Sequence, residues 1–325
     1  MTMNRPHAVL AAAFLAAVAG SASAQNALLS NQSADPSVAP LSTGATAANG
    51  ATAPAGTLWS ELQSDAGAAN ATGGLAVHGA GSGGAFRLAD NFTIPAAWHI
   101  DHVKLYAYQP GAAANPFASV TLRIWTGRPG DAGSTVVWGD TSTNRLASVS
   151  ATNLYRVFNS AAAPAPMAPD TSKPIWELNV STALVQLQPG TYWLDWQIVP
   201  ANTALEVFAP TVTKAGLRTV AGANARQFGP SGWADALDAG KPASAADVNV
   251  ELPFVLMGYP GQPPCSSDYN GDGDHGTDQD IEAFFACIGG TCCPACGPSD
   301  YNSDGDAGTD QDIEAFFRVL GGNPC

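Results

Sequence analysis

The stretch Tyr192-Trp-Leu-Asp-Trp-Gln-Ile198, in the middle of the chain, carries an apolar side chain at every second position. That period is typical of a β-strand with one buried face. Similar runs surround Val103, Val120 and Val250, and turns rich in Gly and Pro separate them. No convincing amphipathic helix pattern lies between these runs. The patterns therefore predict a mainly β fold, an antiparallel β-sandwich of jelly-roll-like topology, over residues 57–260.

The overall composition is low in charge. The chain has 325 residues, of which 46% are hydrophobic and only 12% are charged. So few charges argue against a helix-rich cytosolic protein, because exposed helix faces usually carry many Lys and Glu. The formal net charge is -14, and Lys and Arg form no cluster. Since phosphate contacts need basic residues, a nucleic-acid partner is not expected.

Charge and cysteine content divide the chain near Cys265. The 61 residues from Cys265 to Cys325 hold twelve Asp and Glu, one Arg and all six cysteines, so their formal charge is -11. The residues before them carry a formal charge of only -3. A module this small buries little apolar surface and needs disulfides or metal ions for stability. The sequence predicts a separate domain over residues 265–325, joined to the body by a linker over residues 261–264.

The N-terminal residues have the features of an export signal. Arg5 precedes an apolar run from Ala8 to Ala19, and Ala22 and Ala24 supply the small residues of a cleavage site. The run is short for a membrane span, so we expect a cleaved signal peptide over residues 1–24. We then expect the protein to be secreted and retained at the cell surface, an environment that permits disulfides.

The segment that follows, residues 25–56, consists mostly of Ala, Ser, Thr, Gly, Asn and Pro without periodicity. This composition predicts a flexible leader. No later stretch approaches about 18 continuous apolar residues, so no membrane span is expected in the mature chain.

The acidic domain contains a tandem repeat. Residues 268–290 recur 32 positions later as residues 300–322, and 18 of the 23 aligned positions are identical. Each copy begins with acidic or amide side chains at positions 1, 3, 5 and 7 and Gly at position 6, the pattern of a calcium loop. Two Ca²⁺ ions are therefore expected. The predicted ligands are Asp268, Asn270, Asp272, Asp274, Asp278 and Asp280 in the first loop and Asp300, Asn302, Asp304, Asp306, Asp310 and Asp312 in the second.

The end of each loop departs from the usual twelve-residue pattern. Asp280 stands at position 13, so the loop has one extra residue, and the sequence leaves open whether Asp278 or Asp280 binds the ion directly. The same alternative exists for Asp310 and Asp312. A solvated acidic turn is the competing interpretation, but so many carboxylates in one loop repel each other without a cation.

A short helix is predicted after each loop. The apolar residues of the first copy follow helical spacing from Ile281 to Ile288, and those of the second from Ile313 to Leu320. Glycine pairs stop both helices, and prolines before each loop exclude a preceding helix. Each unit is therefore a loop and one helix, half of an EF-hand. We expect the two apolar stripes to pack together about a pseudo-twofold axis.

Two Asp-x-Asn-x-Asp-Gly loops, each followed by a single helix, resemble a dockerin. The shared Gly-Thr-Asp-Gln-Asp-Ile-Glu-Ala-Phe-Phe segment and the flanking cysteines are most similar to the GC-type dockerins, which anchor exported bacterial proteins. The resemblance covers residues 265–325 and implies calcium-dependent folding and docking onto a cohesin-like or other surface protein. Cellulosomal dockerins use a Ser-Thr pair where this chain has Thr277-Asp278 and Thr309-Asp310.

The six cysteines could form disulfides or, in part, a zinc site, since four of them lie within ten residues. Export favours disulfides. The 32-residue symmetry of the repeat suggests Cys265–Cys293 and Cys296–Cys325, which leaves Cys287–Cys292.

The body shows no specific catalytic motif. His99 and His102 flank Asp101, but a spacing of three on a regular strand puts two side chains on opposite faces, which disfavours a shared metal. Asp195 is a single carboxylate, whereas glycoside hydrolysis usually needs two. Trp125 and Trp193 are the best candidates for stacking on sugar rings, because each lies opposite the apolar face of its strand.

The sequence therefore predicts an exported, non-catalytic β-sandwich protein that a C-terminal calcium-dependent module anchors to a surface partner. The alternative is an extracellular hydrolase that acts on polysaccharides, or a carbohydrate-binding protein, that carries the same module.

Overall fold

The structure is a computed structural model that describes residues 26–62, 73–79, 85–158, 160–161, 167–240, 244–260, 265–302 and 306–323. The predicted signal peptide at residues 1–24 and the linker at residues 261–264 lie outside the described residues. None of the helices in these ranges has the length and apolar character that a membrane span requires.

The described part of the chain is mainly β, as predicted. Its strands are β1 (Asn26–Ser30), β2 (Leu58–Leu62), β3 (Leu75–Ala76), β4 (Arg87–Ile94), β5 (Trp98–Tyr108), β6 (Phe117–Thr126), β7 (Thr135–Gly139), β8 (Leu146–Phe158), β9 (Pro174–Leu187), β10 (Gly190–Pro200), β11 (Phe208–Ala209), β12 (Arg226–Gly229), β13 (Gly232–Asp235), β14 (Leu237–Asp238), β15 (Val248–Asn249) and β16 (Phe254–Pro260). Its helices are α1 (Asp278–Ile288) and α2 (Asp310–Leu320).

Most strands belong to two sheets. The first has the order β1-β16-β5-β9-β8-β2, with β11 pairing with β3 and β5. The second has the order β13-β12-β4-β10-β6-β7, and β14 and β15 form a small separate ribbon. The pairs are antiparallel except for β2 and β8, which run parallel. This arrangement agrees with the predicted antiparallel β-sandwich.

One hydrophobic core joins the two sheets. Leu194, Trp196 and Ile198, which mark the alternation in β10, are buried with side chains of β4 and β6 from the same sheet. Ile100 and Val103 of β5 belong to the same cluster from the other sheet. Full burial of one large apolar side chain contributes about 1.5–3 kcal/mol, so this shared interior is the main stabilising feature of the body.

The prediction of a flexible leader over residues 25–56 is wrong for the described part, residues 26–56. Strand β1 pairs with β16 in antiparallel register, with Leu29 opposite Leu256. Further along, the side chain of Leu41 is completely buried with Tyr106 and Ile175. Because the few leucines stand among many small residues, the average composition concealed them. The segment extends the edge of the first sheet and covers part of its outer surface.

A β-bulge in β5 corrects the argument about the two histidines. In the pairing of β5 with β16, Ile100 and His102 lie opposite the adjacent residues Gly258 and Met257. Asp101 is therefore an extra residue in β5, and the alternation changes phase there. Ile100 and Val103 both face the core, three positions apart. By the same phase change, His99 and His102 lie on the same face of the sheet and not on opposite faces. His102 Nδ1 lies within hydrogen-bond distance, 2.7 Å, of Asp101 Oδ2.

Both predicted helices are confirmed. Thr277 is the N-cap of α1 and Thr309 that of α2, and the residue three positions later completes a capping box in each case. Gly289 and Gly321 occupy the C-caps, in agreement with the predicted ends.

Candidate functional site

The two helices of the acidic module share one aromatic core. Phe284 and Phe316, equivalent positions of the repeat, stack with ring centroids 4.1 Å apart. Tyr269 and Tyr301, the second residues of the two loops, pack edge-on against these rings. All four side chains are almost completely buried. Each loop is thereby attached to both helices, so neither unit forms its core alone.

Reciprocal contacts hold the two units together. The loop glycine Gly276 lies against Leu320 of the other unit, and its counterpart Gly308 lies against Ile288. Both glycines have positive φ, +69° and +70°, a conformation that a larger side chain would strain. Tyr301 also donates a hydrogen bond of 3.0 Å from its hydroxyl group to the carbonyl of Ser266. The paired contacts follow the predicted pseudo-twofold relation.

Asp280 is the most enclosed carboxylate of the first unit. Its Oδ1 accepts the backbone N–H groups of Tyr269 and Asn270 at 2.7 and 3.2 Å. Its Oδ2 accepts the N–H and the hydroxyl group of Thr277 at 2.8 and 2.9 Å. Asp280 is 0% exposed. It therefore fastens the start of the loop to the start of the helix.

Asp312 makes the same four contacts in the second unit. The distances from Tyr301, Asn302 and Thr309 repeat those of the first unit to 0.1 Å. These hydrogen bonds of Asp280 and Asp312 were not predicted from the sequence. A local signal exists, because a Thr followed three residues later by an acidic residue, as at Thr277 and Thr309, indicates a capping box.

The hydrogen bonds also set the charge state of these carboxylates. Burial alone would raise the pKa of Asp280 and of Asp312. The N–H and hydroxyl donors around each group outweigh burial and hold the pKa below its ordinary value. Both groups are consequently ionised at neutral pH, although the donors described for them are uncharged backbone N–H groups and threonine hydroxyl groups.

The other predicted ligands lie around the loop. Asp268 accepts backbone N–H groups from Gly271, Asp272 and Gly273 at 2.8 to 3.1 Å, which curls the loop around its carboxylate. Asn270 Nδ2 donates to Asp272 Oδ2 at 2.9 Å. The loop thus brings predicted positions 1, 3 and 5 together.

Positions towards the end of the first loop point to solvent. Asp274 and Asp278 are both exposed. In the second loop Asp306 and Asp310 are exposed, Asp300 and Asn302 are partly exposed, and Asp304 lies outside the described residues.

The predicted ligands are of the kind that Ca²⁺ prefers, because each of them offers a carboxylate or amide oxygen. Asp280 and Asp312 fit less well as direct ligands, since both oxygens of each carboxylate already accept two hydrogen bonds. Within the described ranges, no three His, Cys, Asp or Glu side chains converge closely enough to hold a metal ion. Closure around an ion would therefore bring the exposed carboxylates inward.

The disulfides differ in part from those predicted. Cys287–Cys292 is confirmed. The pairs Cys265–Cys293 and Cys296–Cys325 are wrong, because Cys293 is bonded to Cys296. Their Cα atoms lie 5.1 Å apart in one turn, so a local pairing takes precedence over the repeat symmetry. These four cysteines, which could have formed a zinc site, are all oxidised.

In the body, Asp195 lies at the centre of a cluster of basic and aromatic residues. It is 0% exposed and accepts Arg87 Nε at 2.6 Å, Arg123 Nη2 at 2.6 Å and Trp125 Nε1 at 3.0 Å. Two guanidinium groups and an indole thus occupy its oxygens. Asp195 has no access to a substrate in this arrangement, and its role is to neutralise the two arginines.

Neither tryptophan proposed for sugar stacking presents a free face. Trp193 is 5% exposed, and Arg128 lies over its ring at 5.8 Å. Arg123 lies over Trp125 at 4.8 Å, while Trp233 packs edge-on against the same ring. The arginines take the positions that sugar rings would need, so no observation at these residues favours a carbohydrate ligand.

The body also contains a buried pair of carboxylates. Asp90 and Glu251 are 0% and 3% exposed, and Asn31 Nδ2 lies 3.3 Å from Asp90 Oδ2 and 3.2 Å from Glu251 Oε1. Burial raises the pKa of both groups, and the pKa of Asp90 lies well above its ordinary value. Buried side chains cannot reach a polysaccharide, so the pair acts in the interior and joins Asn31, just after β1, to the sandwich.

No protein family model, no curated protein and no solved structure matches the chain.

Proposed function

We propose that residues 265–325 form a calcium-dependent, dockerin-like docking module that binds two Ca²⁺ ions. In this proposal it anchors an exported, non-catalytic body to a cohesin-like or other surface protein. The body is taken as jelly-roll-like because β4, β5, β6, β9 and β10 pass back and forth between its two sheets.

The observation that carries the proposal is the imbalance of charge in the two repeated loop–helix units. Asp280 and Asp312 are ionised and buried, and among the described residues their hydrogen bonds come from backbone and hydroxyl donors. The exposed carboxylates of each loop add further negative charge. Among the described residues the module offers one basic side chain, Arg318, which pairs with Glu314.

A bound calcium ion supplies positive charge and a preference for six to eight oxygen ligands. Asp268, Asn270 and Asp272 would hold it first, since the loop already groups them. Of the two alternatives at the end of the loop, we assign Asp278 as the direct ligand, because it is exposed whereas Asp280 is engaged. In the second loop we likewise assign Asp310 as the direct ligand, because Asp312 is engaged in hydrogen bonds.

Calorimetry on the mature full-length chain tests the metal proposal. We expect about two calcium ions per chain, and about one for Asp268→Asn, which changes a ligand of one loop only. The matched control Asp235→Asn, at an exposed carboxylate of the body, retains both. Hydrogen exchange in excess chelator should show lost protection in the module alone, because binding energy is folding energy in small metal domains. Unchanged protection together with no binding heat would refute the proposal.

A further inference from the structure

Two exposed phenylalanines form a single patch across both helices of the module. Phe285 and Phe317 are 44% and 46% exposed, and they are the only exposed aromatic side chains in the ranges that the structure describes. Their ring centroids lie 6.3 Å apart. Each also touches its buried neighbour, Phe284 or Phe316, at 5.5 and 5.6 Å. The patch is therefore a continuous apolar surface on a rigid support.

Nothing in the fold of the module requires these side chains to be aromatic. The core is already closed by the stacked pair Phe284 and Phe316 and by the two tyrosines. Apolar patches with a charged border are typical of protein interfaces, and large buried aromatic residues often supply most of their binding energy. The patch consequently has the composition of an interface centre.

The border of the patch carries two acidic side chains, Glu282 and Glu314, and one basic side chain, Arg318, which pairs with Glu314. Glu282 and Glu314 are exposed and stand three residues before Phe285 and Phe317, which places each on the same side of its helix. The module as a whole carries a formal charge of -11. A second copy of this chain would bring like charges together, which disfavours self-association through this surface. An anionic membrane surface is disfavoured for the same reason.

We infer that Phe285 and Phe317 are the central contacts of the docking surface, and that the partner is a protein with a shallow apolar pocket bordered by Lys or Arg. This inference rests on the proposed function and names its contact residues. The surface is distinct from the calcium loops, so its loss should leave metal binding intact.

The test compares three full-length variants in the producing cells. They are Phe285→Gln/Phe317→Gln, the loop variant Asp268→Asn/Asp300→Asn, and the control Leu217→Gln, at an apolar residue of the body that is 51% exposed. We expect the phenylalanine variant to bind two calcium ions in calorimetry and to lose surface association by about tenfold or more. The control should retain both properties.

The outcomes separate the two proposals. Loss of association in the loop variant but not in the phenylalanine variant overturns the docking surface and keeps the calcium-dependent anchor. Retention in both variants overturns the anchor itself. If the phenylalanine variant no longer binds calcium, the single variants Phe285→Gln and Phe317→Gln replace it. If neither of these reduces association, the inference is rejected.

A photo-crosslinking amino acid at position 285 identifies the partner surface, with the same group at position 217 as control. We expect one discrete adduct from position 285 only, with the crosslinked partner peptide near basic residues. Charge reversal by Glu282→Lys/Glu314→Lys should weaken association by about tenfold, whereas no change would contradict the basic border. A dimer in ultracentrifugation that the phenylalanine substitutions dissociate would assign the patch to self-association instead.

Discussion

The body and the acidic module both bury carboxylates, but they satisfy them by different means. In the body, Asp195 meets Arg87 and Arg123, and the buried Asp238 meets Arg218 at 2.9 Å. In the module, the contacts described for Asp280 and Asp312 come from backbone N–H groups and threonine hydroxyl groups. Asp195 and Asp238 are thus neutralised by arginines of the body, whereas the charges of Asp280 and Asp312 are not neutralised by any described contact. The stability of the module should therefore depend on conditions that leave the body unaffected.

The largest expected effect distinguishes these two ways of holding a carboxylate. Asp195→Asn leaves the buried Arg87 and the partly buried Arg123 without their anion, so we expect the body to lose about 3–5 kcal/mol of unfolding free energy. Asp280→Ala leaves buried donors unpaired and should destabilise the module by about 2–3 kcal/mol. Tryptophan fluorescence reports on the body alone, since all eight tryptophans lie there, and hydrogen exchange reports on the module.

Each of these variants serves as the control for the other. The tryptophan transition should be unchanged in Asp280→Ala, and the exchange protection of α1 and α2 should be unchanged in Asp195→Asn. A variant that lowers the stability of both regions would show that they unfold together, and the comparison would fail.

A smaller effect tests the N-terminal segment, which resembles the linker-like parts of the chain in composition but belongs to the folded body. Leu41→Ala removes a fully buried side chain, and we expect a loss of about 3 kcal/mol in chemical denaturation followed by tryptophan fluorescence. The matched control is Val38→Ala, at a neighbouring residue that is 53% exposed and should change stability by less than about 0.5 kcal/mol. If Leu41→Ala and Val38→Ala changed the stability equally, the prediction of a flexible leader would stand.

The smallest effect is a pH dependence of opposite sign in the two regions. The raised pKa of Asp90 and Glu251 means that their ionisation opposes folding, so the body loses stability as pH rises from the ordinary carboxylate range through the raised values. The lowered pKa of Asp280 and Asp312 means that their ionisation favours folding of the module. This stabilisation is complete above the ordinary carboxylate range and is lost as pH falls from that range through the lowered pKa values.

Melting curves between pH 7 and pH 3 measure this difference. Acidification should raise the tryptophan transition at first, while α1 and α2 lose protection only below about pH 4. Glu251→Gln should reduce the change in the body's melting temperature with pH and leave the pH dependence of the module unchanged. A parallel decline of both regions would contradict the assignment.

Patterns with a short period could be predicted from the sequence, whereas features that depend on distant partners could not. The alternation of Leu194, Trp196 and Ile198 and the helical spacing from Ile281 to Ile288 both gave correct elements. The role of Leu41 depends on Tyr106 and Ile175, far along the chain. The bulge next to Ile100 has no local signal, and it reversed the relation of the two histidines.

The candidate site shows the same limit at shorter range. Its repeat and its oxygen donors are evident in the sequence, but the one extra residue in each loop decides which carboxylate turns inward. The structure engages Asp280 with the backbone of Tyr269 and Asn270. Likewise, symmetry alone suggested the wrong partner for Cys293, because a turn brought Cys296 closer.

The pairing of β1 with β16 has a consequence for the order in which the body assembles. Asn26 lies opposite Gly258, so a strand at the beginning of the described chain finds its neighbour more than two hundred residues later. During synthesis, the outer edge of the first sheet stays open until residues 254–260 have emerged. Such long-range closure slows folding. The body therefore completes its fold only when nearly all of its sequence is present.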